Sequence, residues 1–237
     1  KKINIYTDGA HYIHDTSFGK IAYPHPLFHP EEYVSKDYSI YFEYYVPKQG
    51  DIILELGSGI GNESIYISRL IGENGKVYCA EPLLEIFETL KKTIKVNDIK
   101  NVKLFNKALF NKKTEIGFSK SDNWLSSKID NKSEIKIETF TLDSFIIDNK
   151  IEKINYCKIN IEGAERFIVN DSSKFFTICE NIAIECHDFF KGKENPEEYM
   201  TYDLVKNFLI SKNFNIKKSH RNKLDLDEFF IHASKNK

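Results

Sequence analysis

The chain has little with which to brace itself covalently. Its four cysteines, Cys79, Cys157, Cys179 and Cys186, show no C-x-x-C spacing, and each lies in or beside an apolar, strand-like run. That pattern argues against a disulfide scaffold or a cysteine metal ribbon, and for reduced core thiols in a cytoplasmic protein. Charge of one sign is also lacking. Thirty-four Lys and Arg stand against 35 Asp and Glu, a net −1, and no basic block stands clear of nearby acids. No nucleic-acid partner and no membrane partner is therefore expected. No apolar run reaches the roughly 18 residues of a membrane span, and the N-terminus lacks the charged-then-apolar layout of a signal peptide. The one methionine, Met200, leaves the chain without a start residue. It reads as trimmed, or as one domain of something longer, from which a targeting segment could have been removed. Internal repeats and linkers are missing too.

What is present suits a globular protein: 237 residues, 41% hydrophobic, enough for one sizeable core. From Asp51 onward, short β-branched runs alternate with helix-period segments, the signature of βα units on a largely parallel sheet. Asp51–Leu56 reads as a strand buried on both faces, Asn62–Ile71 as a short helix stopped at Gly72, and Lys76–Glu81 as a second strand. Pro82 is expected to open a helix running to Asn97, with a third strand over Asn101–Phe105. Two short strands are expected around Glu115–Phe118 and Glu134–Glu138, flanking a polar loop that carries Trp124. Thr141–Ile146 reads as a capped helix, Ile154–Ile159 as a strand, Glu162–Val169 as a helix, Thr177–Cys186 as a buried strand and Thr201–Lys212 as a helix. Phe214–Lys218 and Glu228–Ala233 would close the sheet as an antiparallel pair. The tally is an α/β fold of about seven strands over 47–237. Residues 1–46, rich in Tyr, Phe, His and Pro with a helix expected over Glu31–Tyr45, would form an N-terminal aromatic cap.

The strongest chemical signal is Glu55-Leu-Gly-Ser-Gly-Ile-Gly-Asn62, between the first strand and its helix. Glycine lets the backbone turn tightly and approach a ligand, and a helix N-terminus offers unpaired N–H donors. Glu81 ends the next strand, where an acid can accept hydrogen bonds from ribose hydroxyls. A nicotinamide dinucleotide, a mononucleotide and S-adenosylmethionine all remain candidates. Asn62 holds the place of the last glycine of the dinucleotide fingerprint, and no Gly-Lys-Ser/Thr follows as in a P-loop.

Beyond that turn, Val77-Tyr-Cys-Ala-Glu-Pro82, Asn106-Lys-Ala-Leu109, Thr141-Leu-Asp143, Lys158-Ile-Asn-Ile-Glu-Gly-Ala-Glu165 and Ile184-Glu-Cys-His187 follow in order. Together they resemble the FkbM-type methyltransferase family over roughly residues 50 to 190, most specifically in Lys158–Glu165. The resemblance implies a Rossmann-like class I methyltransferase: a seven-stranded, mostly parallel sheet with helices on both faces. It implies S-adenosyl-L-methionine as cofactor, S-adenosyl-L-homocysteine as product, and methylation of a hydroxyl on a sugar, glycan precursor or natural-product scaffold. By the same resemblance Gly57, Ser58, Gly59, Gly61 and Asn62 would cradle the cofactor, and Glu55 would orient its amino group. Glu81, with Pro82 beside it, would grip the ribose; Asn106 and Ala108 would flank the adenine, with Ser126 nearby. Asn160 stands where the family pattern carries Asp, which counts against any metal-dependent reading and leaves Asn160 a positioning role.

A proton acceptor is sought among residues at the carboxyl ends of strands. His187 ends a buried strand at the sheet edge that also carries Glu81 and Asn160, and its ordinary pKa suits proton acceptance near neutrality; it could equally cap the strand. Glu185 alternates with His187, so the two are expected to share a face, as a base and its orienter or as the two strongest residues of a metal site, although one His and one acid fall short of a specific metal constellation. Glu162 could take part in the chemistry, whereas Glu165 fits simple stabilisation of a helix start. His11 and His14, and His25 and His29, could each share a helical face, although Pro24, Pro26 and Pro30 disfavour a helix around the second pair. The acceptor, a small molecule or glycan, would be shaped by residues 10 to 45, 119 to 133 and 188 to 199. The aromatic N-terminal segment is the surface through which an oligomer would form. The alternatives are a nucleotide-linked dehydrogenase or epimerase, against which the missing Tyr-x-x-x-Lys pair counts, and a non-catalytic cofactor-binding domain.

Overall fold

A computed structural model describes residues 4–27, 35, 38–119, 128–129, 133–169, 173–190, 199–217 and 229–236. The chain forms two compact units, Lys1–Asn106 and Lys107–Lys237.

The first unit opens with an antiparallel meander, β1 (Ile5–Thr7), β2 (Tyr12–Thr16) and β3 (Gly19–Tyr23). These strands were not expected from the sequence. His14 lies on β2, fully buried, so it shares no helical face with His11; His29 is outside the described residues. The helix expected over 31–45 is helical at 38–41 and has ended by 42, with 31–34 and 36–37 outside the described residues. β3 docks on the second helix of the unit: Ala22 N–H donates to Thr93 Oγ1 at 3.0 Å, and Asn97 exchanges bonds with the Lys20 backbone at 3.0 and 2.6 Å. Tyr38 stacks on Tyr66 with ring centroids 4.2 Å apart and donates its hydroxyl proton to the Asn62 carbonyl at 2.8 Å.

The same unit carries three parallel strands in the order β4 (Ile52–Leu56), β5 (Lys76–Ala80), β6 (Val102–Phe105). They are joined by α1 (Asn62–Ile71) and α2 (Leu84–Val96). The run Ile53, Leu54 and Leu56 is at most 1% exposed, as a strand covered on both faces must be. On α1, Ile65, Ile67 and Ile71 are buried; on α2, Ile86, Leu90 and Ile94. α2 begins two residues later than Pro82 suggested. The Asn106 side-chain amide donates to the Glu81 and Pro82 carbonyls at 2.9 and 2.8 Å, so neither is spent on a first helical bond. That bond is made instead by Leu83, whose carbonyl receives Phe87 N–H at 2.7 Å.

The second unit holds a small sheet in the order β7 (Ala108–Leu109), β10 (Lys136–Phe140), β8 (Glu115–Ser119), β9 (Lys128–Ile129). It also holds β11 (Tyr156–Ile159) parallel to β12 (Asn181–Glu185), and β13 (Phe214–Lys217) and β14 (Phe230–Lys235), where β14 runs antiparallel to both β12 and β13. α3 (Leu142–Asn149) starts with a reciprocal capping box between Thr141 and Ser144. Two helices follow, α4 (Ser173–Ile178) and α5 (Tyr202–Ser211). The buried strand expected over Thr177–Cys186 is thus shorter. Its first two residues belong to α4, whose start is fixed by the Asp143 carboxylate accepting from Lys174 and Phe175 N–H at 3.0 and 2.7 Å. The helix expected over Glu162–Val169 is a 3-10 turn over Ala164–Val169.

β4–β6 and β11–β14 belong to one seven-stranded, mostly parallel sheet with intervening helices, the Rossmann-like architecture expected above. Among the described residues no helix is long and apolar enough to cross a membrane.

Candidate functional site

Two polar clusters, one in each unit, gather the candidate residues. In the first unit the chain leaves β4 through three glycines with left-handed backbones, Gly57, Gly59 and Gly61, at φ 71°, 52° and 92°. The turn is anchored where Gly57 and Ser58 N–H donate to the Ala80 carbonyl at 2.9 and 3.2 Å, and Ser58 Oγ to the Glu55 carbonyl at 3.1 Å. The glycines differ in surroundings. A Cβ on Gly61 would lie 2.7 Å from Leu90 Cδ1 and 3.3 Å from Thr93 Cγ2, so this glycine lets α1 pack against α2. A Cβ on Gly59 would meet nothing within 4 Å, so the space over it is open.

Glu81, which follows β5, aims at this turn: Oε2 accepts Gly59 N–H at 3.0 Å and Oε1 accepts Leu83 N–H at 3.1 Å. Asn106 holds the Glu81–Pro82 backbone as described above. Asn62 opens α1, and its side-chain Oδ1 is buried without a hydrogen bond. Glu55 is fully buried on β4, where Oε2 accepts from Ser64 Oγ at 2.6 Å and Cys79 Sγ at 3.3 Å. An open glycine turn between two fixed carboxylates suits a ligand with a ribose at one end and an ammonium at the other. Its residues fit S-adenosylmethionine. Ala108, expected beside the adenine, lies buried on β7 in the second unit, paired with Thr139; Ser126 is outside the described residues.

The second cluster follows β11 and β12. Asn160, just past β11, donates its amide proton to Glu185 Oε2 at 2.6 Å. Glu162 has a left-handed backbone, φ 52°, followed by Gly163 at 93°. For a residue with a Cβ this costs about 1–2 kcal/mol, strain of a kind that gathers at functional sites. The double turn brings both Glu162 and Glu165 to His187. Nδ1 of the ring lies 3.0 Å from Glu165 Oε1, and Nε2 lies 3.5 Å from Glu162 Oε1. Thr201 Oγ1 donates to Glu165 Oε2 at 3.3 Å. Burial opposes charge on His187, but the Glu165 and Glu162 carboxylates outweigh it and hold the ring protonated well above the ordinary imidazole range. His187 and Glu165 side chains are 2% and 0% exposed, Glu162 26%. Two expectations change accordingly. The ring's partner is Glu165, not Glu185, which takes Asn160 instead; and Glu165, expected only to stabilise a helix start, is the buried anchor of the histidine.

Among the described residues no group of His, Cys, Asp and Glu is arranged to hold a metal. Sequence reasoning passed over Ser64, Cys79 and Thr201. Ser64 was findable, because it falls on the helical face of Ile67, Ser68 and Ile71 yet is polar.

The family described as Methyltransferase FkbM domain matches residues 55–216. Among curated proteins, the chain is 38% identical over 56 residues to the protein-L-isoaspartate O-methyltransferase of Methanococcus maripaludis, covering 24% of this chain and 26% of that one. It is 37% identical over 60 residues to that of Fervidobacterium nodosum, covering 25% and 30%. The chain thus spans under a third of the length of the curated relatives it matches. Among solved structures, a Methyltransferase FkbM from Methylobacillus flagellatus KT superposes with a TM-score of 0.56 at 14% identity, over 85% of this chain and 49% of that one. A putative rRNA-methylase from Clostridium thermocellum gives 0.52 at 13%, over 90% and 100%. At such identities the structures share the fold.

Proposed function

Because this chain belongs to the FkbM methyltransferase family, we propose that it methylates a hydroxyl oxygen on a sugar, glycan precursor or natural-product scaffold, using S-adenosylmethionine. The cofactor supplies an electrophilic methyl group on sulfonium and leaves as S-adenosylhomocysteine. Gly57 and Gly59 let the backbone approach it, Glu55 receives the amino group of its methionyl part, and Glu81 accepts hydrogen bonds from the ribose diol. The observation that carries this reading is Glu81 bonded to Gly59 N–H, beside a glycine with open space where a Cβ would be.

A hydroxyl must lose its proton as the new C–O bond forms. His187 is nearly sealed and already holds its proton against two carboxylates. Glu162, the exposed edge of that cluster, therefore takes the acceptor's proton. His187 fixes the Glu162 carboxylate through Nε2, and Glu165 holds the ring through Nδ1. Asn160 and Glu185 serve as a positioning pair beside them. Four free, buried cysteines support a cytoplasmic setting.

The test has two parts. Calorimetry with S-adenosylhomocysteine and NAD separates methyltransferase from dehydrogenase, binding of NAD alone being fatal to the proposal. Labelled S-adenosylmethionine with a panel of sugar nucleotides and glycans then reads out transfer. Label recovered on nitrogen would overturn the hydroxyl assignment, and label on no acceptor while S-adenosylhomocysteine binds would favour a domain that binds without turnover.

A further inference from the structure

Glu55 is the most enclosed acid among the described residues of the first unit, with 0% of its surface exposed. A carboxylate taken out of water is costly unless donors meet it. Two side chains meet it from different elements. Cys79 on β5 lies in register with Glu55 on β4, which puts both side chains on one face of the parallel pair. Its thiol donates to Glu55 Oε2 at 3.3 Å. Ser64 comes from the first turn of α1, and its hydroxyl donates to the same oxygen at 2.6 Å. Ser64 and Cys79 are themselves 0% exposed, with Oγ and Sγ 3.5 Å apart.

A serine in a helix commonly bonds back to a carbonyl of the preceding turn. Ser68 does so here, donating to the Ile65 carbonyl at 2.8 Å, whereas Ser64 turns its proton to the strand. Burial raises the Cys79 thiol well above its ordinary range, helped by the Glu55 charge, so it stays a proton donor rather than a second anion. Because both donors converge on Oε2, the rotation of the carboxylate is set by a strand and a helix together, and with it the direction in which Oε1 is presented.

We propose that Ser64 and Cys79 are positioning residues for cofactor recognition: they hold the Glu55 carboxylate in the orientation that receives the ammonium of an α-amino acid, and so set the enzyme's preference for cofactors carrying the complete methionyl part over truncated adenosyl thioethers. This rests on the assignment of Glu55 to the cofactor's amino group made above. It adds that the recognition is built by a hydroxyl and a thiol outside the glycine turn.

Titration calorimetry of the intact chain with two probes tests it. S-adenosylhomocysteine carries the amino acid; 5′-methylthioadenosine keeps the adenosine and sulfur and lacks it. Wild type is expected to bind the first more tightly. Ser64→Ala should weaken S-adenosylhomocysteine about tenfold and leave 5′-methylthioadenosine within about twofold, since a hydrogen bond to a charged group is lost at the amino-acid end alone. Cys79→Ala should do the same more weakly, and Cys79→Ser, which keeps a donor, should restore the wild-type ratio. A merely structural role would weaken both probes together. Cys79→Ala leaves the helix start untouched and decides the matter if Ser64→Ala does not fold. An unchanged ratio in both truncations overturns the inference while the cofactor assignment stands. Wild type binding neither probe overturns the cofactor assignment itself, and the inference with it.

Discussion

Gly59 and Gly61 lie two residues apart in one turn, both left-handed, and alanine at each should fail in a different way. At Gly59 the cost to the fold is the left-handed backbone alone, about 1–2 kcal/mol, because the new methyl would meet nothing within 4 Å. At Gly61 the same cost is joined by a clash with Leu90 and Thr93, which are 0% exposed and have no room to retreat. Overpacking of that kind adds about 1–3 kcal/mol. For a chain of this size each kcal/mol lowers the melting temperature by roughly 2–4 °C. Gly61→Ala should therefore melt well below Gly59→Ala. Binding should rank the other way. The methyl of Gly59→Ala occupies the space the cofactor needs, and affinity for S-adenosylhomocysteine should fall at least about tenfold, ~1.4 kcal/mol. Gly61→Ala, where it remains folded, should lose less. Thermal melts and calorimetry on the two variants give all four numbers. Wild-type affinity in Gly59→Ala would refute the placement of the cofactor over that glycine, and equal melting temperatures would refute the packing role of Gly61.

Three further outcomes are expected. Glu81→Gln turns an amide toward Gly59 or Leu83 N–H, donor against donor; it should weaken S-adenosylhomocysteine and 5′-methylthioadenosine alike by about tenfold, and unchanged affinity for both removes the ribose assignment. His187 has a folded pKa above its unfolded value, so its contribution to stability is complete below about pH 6.5 and is lost as pH rises through the folded value. Urea titrations at rising pH should show wild type losing stability relative to His187→Gln on the alkaline side, and a gap that widens there would contradict the ion-paired cluster. Asn160→Asp places a second carboxylate 2.6 Å from Glu185 Oε2. It should cost about 1–3 kcal/mol near pH 8 and recover toward pH 5 as one proton is shared; the same loss at both pH values would show that charge is not the cause.

The parallel core was legible because buried strands announce themselves: Ile53, Leu54 and Leu56 form a continuous apolar run, and glycine turns punctuate both ends. The glycine turn and Glu81 were legible for the same local reason, since a strand, a turn and the next strand's last acid are set by neighbours in sequence. The N-terminal meander was hidden by its aromatics. Tyr12 and His14 share a face of β2, yet Tyr12 is 37% exposed and His14 0%, and Ile13 on the opposite face is 0% exposed as well, so no alternation of polar and apolar residues marks the strand. α4 was hidden because it is only six residues long and its start is held by Asp143, some 30 residues earlier in the chain.

The histidine cluster shows why spacing alone misassigned a partner. Alternation predicts that residues 185 and 187 share a face, but β12 ends at Glu185, and past its end period two no longer governs where His187 points. The carboxylate that does meet the ring comes from Glu165, four residues beyond Ile161, whose N–H that same carboxylate accepts at 3.3 Å. Glu185, released from that role, needs a neighbour that can donate near neutral pH. Asn160 does so at 2.6 Å, and an aspartate there could not without holding a proton. The departure at residue 160 and the pairing of His187 with Glu165 are thus parts of one arrangement. Two carboxylates, Glu162 and Glu165, share one imidazolium, and a third, Glu185, accepts from an amide. A carboxylate at 160 would set a further acid beside Glu185 in place of the amide that now donates to it at 2.6 Å.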